Sequence, residues 1–281
     1  MAWADFSDGF RDVWAQRVLT AFDTKAVYAN LTNRDYDGDA KMGENVIINT
    51  VADFTLVDYH NVSGSTGMTT SDLSISAQTL PIDKWYYFSK NYQSLHQLWG
   101  SSDTFTRLVN RGADAYVSTA DSSISALYSG IINSGSLNVI VSASVPAAMY
   151  NALVDVSVGL QNLEIPMNES FCVISPTQWG VLAKSSDLIR TIGVNGVYDG
   201  AYVGQMRIYV SPHAPVTSVS SSVVIAGHPS AWAFANAVQE TRLIESENIF
   251  GNKFQGLFVY GNKIINPQGL YRQNIEYQSS K

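Results

Sequence analysis

Four histidines, one cysteine and 24 acidic residues are the side chains of this 281-residue sequence best suited to acid–base, nucleophilic or metal chemistry. His60, His96, His213 and His228 stand singly, with no His-x-x-x-His pair and no cysteine near them in sequence, so their spacing builds no zinc set. Asp35, Asp37 and Asp39 open like a calcium loop, but the turn glycine falls at Gly38 and the twelfth position is Val46, where a bidentate glutamate would be needed. A solvated turn is therefore expected, and no metal. Cys172 lies in the apolar run Phe171-Cys-Val-Ile174 and reads as a buried, inert thiol. Gly193, Gly196, Gly200 and Gly204 crowd one segment without forming a phosphate loop or a dinucleotide fingerprint, and predict a flexible loop. Residues far apart in sequence, such as Asp155, Glu164 and His228, could still converge on an acid–base site. Nucleophile, base and oxyanion signatures are all missing, so the sequence predicts a protein that is not an enzyme and holds no cofactor.

The elements that would have to position any such site are those of a folded, acidic chain. With 46% hydrophobic and 15% charged residues a sizeable core can be buried. A net charge of −7 argues against a surface that grips nucleic-acid phosphates tightly. The start of the chain has neither a basic cluster nor an apolar stretch, and no later run approaches the length of a membrane span. No secretion signal and no membrane contact are expected.

Along the chain, residues 1–33 read as an amphipathic arm, with Phe10, Val13, Trp14, Arg17, Val18, Ala21 and Phe22 at mostly helical spacing. Strand-like segments at Asn45–Val51, Phe54–Tyr59 and Leu73–Ala77 flank a Gly/Ser-rich stretch, and predict a long hairpin over residues 44–80. A lone hairpin is marginal in water, so this one must lean on another surface. Ile82–Phe88 again reads as strand. Ser101-Ser-Asp103 then opens a helix predicted to run to about Asn133, some 45 Å long at about 1.5 Å per residue. The second half alternates apolar strands with helices started by Pro146, Pro176 and Pro229. Near the end, Gly261-Asn262 between Leu257–Tyr260 and Lys263–Asn266 predicts a tight hairpin turn.

At Val27-Tyr-Ala-Asn-Leu-Thr-Asn-Arg-Asp-Tyr36 and Gly43-Glu-Asn-Val-Ile-Ile-Asn-Thr50 the sequence resembles the arm and extended-loop start of tailed-bacteriophage major capsid proteins. The resemblance continues in order through Phe171–Leu182, Gly200–Gly204 with Ile208–Ser211, Ala226–Ala235, and Phe250-Gly251 with Gly256–Gly261 and Pro267. It covers nearly the whole chain, and its strength lies in collinearity. The resemblance implies an α+β fold of the Hong Kong 97 type: an N-terminal arm (1–38), an extended loop (39–80), a peripheral domain (81–139 and 244–281) with a spine helix at about 102–133, and an axial domain (140–243).

The same resemblance implies a coat protein that assembles with itself into hexamers and pentamers of an icosahedral head around double-stranded DNA. Portal and scaffolding proteins would be its partners, with a decoration or cement protein as a further one. No long coiled scaffold like that fused to some relatives stands ahead of the arm, so the scaffolding protein is expected to be separate. An encapsulin-like cellular shell is the alternative. Trp14, Phe22, Phe54, Val57, Tyr59, Leu73 and Ile75 are the expected intersubunit contacts, since arm and hairpin cannot bury these residues alone. The glycine-rich segment would lie near the local symmetry axis. Arg11, Arg17 and Lys25 are the nearest candidates for sparse, non-specific DNA contact. Only Lys41 stands in the hairpin region as a lysine that could cross-link, and a non-covalent shell is expected.

Overall fold

A computed structural model describes residues 20, 24–37, 45–51, 75–93, 102–135, 139–142, 145–186, 188–192, 198–218, 220–245, 247 and 251–278. Expectations for the first part of the arm, the hairpin tip, Gly193 and Gly196 lie outside them.

The hairpin root is formed by β1 (Val46–Val51) and β2 (Ile75–Leu80), antiparallel with Val46 opposite Leu80 and Val51 opposite Ile75. After Pro81 the chain enters β3 (Lys84–Gln93), later and longer than the strand expected at Ile82–Phe88. Helix α1 spans Ser102–Ser125. It ends short of Asn133, passing into a 3-10 turn at Ala126–Gly130. The cause is local: Asp121-Ser-Ser-Ile-Ser125 is poor in helix formers, and the Ser125 hydroxyl bonds back to the Ser122 carbonyl at 3.0 Å. The α-helical part is therefore about 36 Å long.

A nine-stranded mixed sheet follows, in the order β4 (Asn133–Ser134), β14 (Leu270–Gln278), β11 (Ser221–Gly227), β6 (Phe171–Ile174), β9 (Met206–Val210), β8 (Tyr198–Val203) and β7 (Ile189–Ile192). β5 (Val139–Ser142) joins β14, and β10 (Val216–Ser218) joins β11. The apolar runs of β6 and β11 are buried along their whole length because both faces are covered. Phe171, Val173, Val223 and Ile225 face a core shared with α1, while Cys172, Ile174, Val224 and Ala226 face α2 (Pro146–Asn162) and α3 (Pro176–Leu182). Pro146 and Pro176 open α2 and α3 as expected, and Ser175 with Gln178 closes a capping box on α3. Pro229 opens only a three-residue 3-10 turn, because Trp232 already enters a strand.

That strand, β12 (Trp232–Glu245), pairs with β13 (Gly251–Ile264), which pairs with β3 in a three-stranded sheet. β13 runs straight through Gly261-Asn262, so the hairpin turn expected there is absent. What Gly261 supplies is a close approach: a Cβ placed on it would lie 2.2 Å from the Pro81 carbonyl oxygen, where the hairpin root crosses the strand. The boundary expected at 243/244 falls inside β12, whose pairing with β13 starts at Trp232, and β14 lies in the nine-stranded sheet.

Gly200 and Gly204 also depart from a flexible loop. Gly200 is within β8, and Gly204, with φ of 60°, forms the turn into β9, where Val203 pairs with Met206. Two hydrophobic registers explain why the mixed architecture is stable. α1 lays Ala113, Tyr116, Val117, Ala120 and Ile124 on Phe254, Phe258 and Tyr260 of β13. The hairpin root lays Val46, Ile48 and Leu80 on Ala233, Ala235 and Val259, on the opposite face of the same small sheet.

Candidate assembly surfaces

The described end of the arm is held by a buried carboxylate. Asp121 of α1, 1% exposed, accepts hydrogen bonds from the backbone N–H groups of Val27 at 2.9 Å and Ala29 at 3.1 Å. Burial raises its carboxyl above the usual range, and those amides pull it back down. One turn further, Trp232 Nε1 donates to the Leu31 carbonyl at 2.8 Å, and Tyr28 packs edge-on against the same indole at 6.1 Å. Asn33 then lies along β12: its N–H donates to the Trp232 carbonyl, and its carbonyl accepts from the Phe234 N–H. Asp37, one of the three aspartates with calcium-loop spacing, accepts from the Asn236 N–H at 2.8 Å and from Arg34 Nε at 3.0 Å. Its role is structural. Lys25, a candidate for DNA contact, is ion-paired with Asp114 on α1.

The hairpin root presents two unlike faces. Val46, Ile48 and Leu80 are buried inward, whereas Ile47 and Ile75 on the outward face are 66% and 59% exposed. Ile75, named above as an intersubunit contact, is thus solvent-facing in the single subunit. The other expected contacts, Trp14, Phe22, Phe54, Val57, Tyr59 and Leu73, lie outside the described residues, as do Arg11 and Arg17.

Sequence reasoning missed the aromatic surface on β3. Trp85 and Tyr87 project to the face of the small sheet that carries the hairpin root, and Tyr87 is 80% exposed. Beside them a cavity of about 340 Å³ is lined by Tyr87, Phe88, Arg242, Gln255, Gly256 and Leu257. Across that sheet Gln255 receives Arg242 Nε at 2.7 Å and donates to Ser89 at 3.3 Å. The signal in the sequence was the consecutive aromatic run Trp85-Tyr-Tyr-Phe88, which alternation splits between the two faces of the small sheet.

His60, His96 and Asp39 lie outside the described residues, and among the described ones the side chains considered for chemistry do not converge on one site. His228 Nδ1 accepts the Ser230 N–H and meets the Ser230 hydroxyl at 2.8 Å. Asp155 is exposed on α2, and Glu164 sits at positive φ just after that helix. His213 pairs with the Ser122 hydroxyl at 3.1 Å, but the neighbouring carboxylate, Asp121, is turned to the arm amides. Cys172 is fully buried, and burial pushes its thiol up to about 12. Among the described residues no three His, Cys, Asp or Glu side chains form a metal cluster, and no helix is long and apolar enough to cross a membrane.

Comparison with solved structures places this architecture. A structure from Mycobacterium phage Che8 aligns over 89% of this chain and 91% of its own, with 21% identity and a TM-score of 0.71. The capsid structure of cyanophage P-SCSP1u aligns over 91% and 89%, at 14% identity and 0.66. A virus-like particle from Pyrococcus furiosus aligns over 95% and 99%, at 13% identity and 0.60. The chain thus has the α+β fold of Hong Kong 97-type shell subunits. No curated protein matches it. Residues 96–273 match the family described as phage capsid protein, and the chain belongs to that family of structural proteins.

Proposed function

We propose that this chain is the major capsid protein of a tailed bacteriophage and forms the hexamers and pentamers of an icosahedral head enclosing double-stranded DNA. The observation that carries the reading is the two-sided hairpin root: one face is buried on the chain's own sheet, and the other sets out Ile47 and Ile75 with nothing of the described chain over them. Such a face is stable in a tile that meets neighbours. In this reading the arm (1–38) and the extended loop (39–80) reach adjacent subunits. α1 and the small sheet make the peripheral region, and residues 140–231 build the axial region, with Gly193 and Gly196 near the local symmetry axis. Portal, scaffolding and decoration proteins are partners from the same reading, the subunit has no catalytic role, and assembly takes place in the host cytoplasm before the protein resides in the virion.

The likeness to the Pyrococcus furiosus virus-like particle favours one second reading, an encapsulin-like shell around a protein cargo. The two are separated by the contents of particles recovered from the producing cell. Nuclease-protected double-stranded DNA supports the phage head, and a packaged enzyme without DNA supports the compartment.

A further inference from the structure

The small sheet has two edges, and the chain treats them differently. Asn33 and Asp37 of the arm occupy the edge of β12 from Trp232 to Asn236, and a register shift between Asn236 and Val238 bends the same strand. The opposite edge is β3, which among the described residues pairs only with β13, in unbroken register from Lys84 to Gln93. It contains no proline, no bulge and no acidic residue, so apart from Lys84 and Lys90 it lacks the usual devices that keep a long edge from pairing. Three neighbouring aromatic side chains stand out from it, with Trp85 49%, Tyr86 46% and Tyr87 80% exposed.

We propose that the open edge of β3 pairs antiparallel with β3 of a second copy of this chain, across a two-fold axis normal to the sheet, joining two three-stranded sheets into one. The proposal rests on the shell reading, because a closed icosahedral shell supplies such two-fold axes. A two-fold of this kind keeps the two faces of the sheet distinct, so odd positions must meet odd and even meet even. Charge excludes one of the two central registers, and the aromatic and cation–ring pairings favour the other. Centring the pair on Tyr87 sets Lys84 directly against Lys90, two like charges face to face. Centring it on Phe88 instead places Phe88 against Phe88, Lys90 against the ring of Tyr86, Tyr87 against Ser89 and Trp85 against Asn91. The strand's only charges, Lys84 and Lys90, then never oppose each other. The isologous contact buries the exposed rings and satisfies the open backbone groups together.

Cysteine pairs read both the contact and its register. Positions 85 and 91 are about 20 Å apart within one strand, too far for a disulfide, but opposite each other across the proposed axis. Particles assembled from Trp85→Cys/Asn91→Cys chains and oxidised should show a covalent dimer on non-reducing gels, and neither single variant should; Cys172 is buried and does not interfere. If the double variant does not assemble, a charge pair decides. Trp85→Lys/Asn91→Lys should assemble at least about tenfold less well than Trp85→Lys/Asn91→Glu, because only the second sets opposite charges across the axis. Particles that form without the 85–91 dimer, equal assembly of the two charge variants, or a Trp85→Cys/Ile75→Cys dimer showing that a neighbour's hairpin covers this edge would each overturn the proposal. All of these leave the shell reading standing, whereas absence of particles from the unaltered chain would remove that reading itself.

Discussion

Replacing Asp121 with alanine removes the acceptor of two backbone N–H groups at the docked end of the arm and leaves that of Ala29 buried and that of Val27 half-buried without it. A hydrogen bond to a charged group contributes about 1.5–3 kcal/mol, and an abandoned buried donor costs about 1–3 kcal/mol. Part of this is offset, since the variant no longer buries a carboxylate. The net expected loss is about 2–4 kcal/mol, measured as a lower midpoint at unchanged slope in urea unfolding of the unassembled subunit. Amide exchange of residues 26–31 should accelerate in parallel. The pH dependence has a definite sign. Burial raises the folded-state pKa of Asp121 above its usual 3.8, so the contribution tied to the protonated form is full below 3.8 and is lost as pH rises through the folded value. The stability of the native subunit relative to Asp121→Asn should therefore be greatest at acid pH and decline as pH rises through that window. A loss below about 0.5 kcal/mol for Asp121→Ala, the range of ordinary surface changes, would refute the role given to this carboxylate.

Gly261→Ala should destabilise the subunit by about 1–3 kcal/mol, because its Cβ would press on the Pro81 backbone, and scanning calorimetry should show the loss. Trp232→Phe keeps most of the packing but leaves the Leu31 carbonyl without its indole donor, costing about 1–3 kcal/mol in urea unfolding. Ile47→Asp/Ile75→Asp should change the subunit's unfolding free energy by less than about 0.5 kcal/mol while sedimentation shows assembly lost. Cys172 should stay unreactive toward a thiol reagent in the native subunit and react on unfolding, as its full burial and raised thiol pKa require.

Periodicity made the core elements legible. The strand-forming residues of Asn45–Val51 and the alternation in Leu73–Ala77 pointed to the two sides of the hairpin root, the i, i+3, i+4 pattern found α1, and the apolar runs at Phe171 and Val223 found the central strands. Where local chemistry has two uses, the reading failed. Gly261-Asn262 suits a tight turn, but the missing side chain serves a close crossing of two backbones, which only the tertiary structure reveals. Ser122, Ser123 and Ser125 end the α-helix early although the apolar spacing continues through Tyr128 and Ile131. The Asp121 clamp joins residues more than 90 positions apart and carries no local pattern, so no motif could disclose it. Of the candidate assembly surface, Ile75 was legible as an unsupported hairpin residue. Trp85 and Tyr87 were not, because an aromatic run in a strand does not reveal which of its faces the rest of the chain will cover.

On the function proposed above, this subunit builds a closed shell with copies of itself. Electron microscopy of the purified chain, with a scaffolding protein supplied where assembly requires one, tests it most directly. Closed icosahedral particles are expected, in whose reconstruction the outward face of the hairpin root, with Ile47 and Ile75, is covered by a neighbouring subunit. Particles in which that face remains open to solvent, or a chain that stays monomeric under every assembly condition, would contradict it.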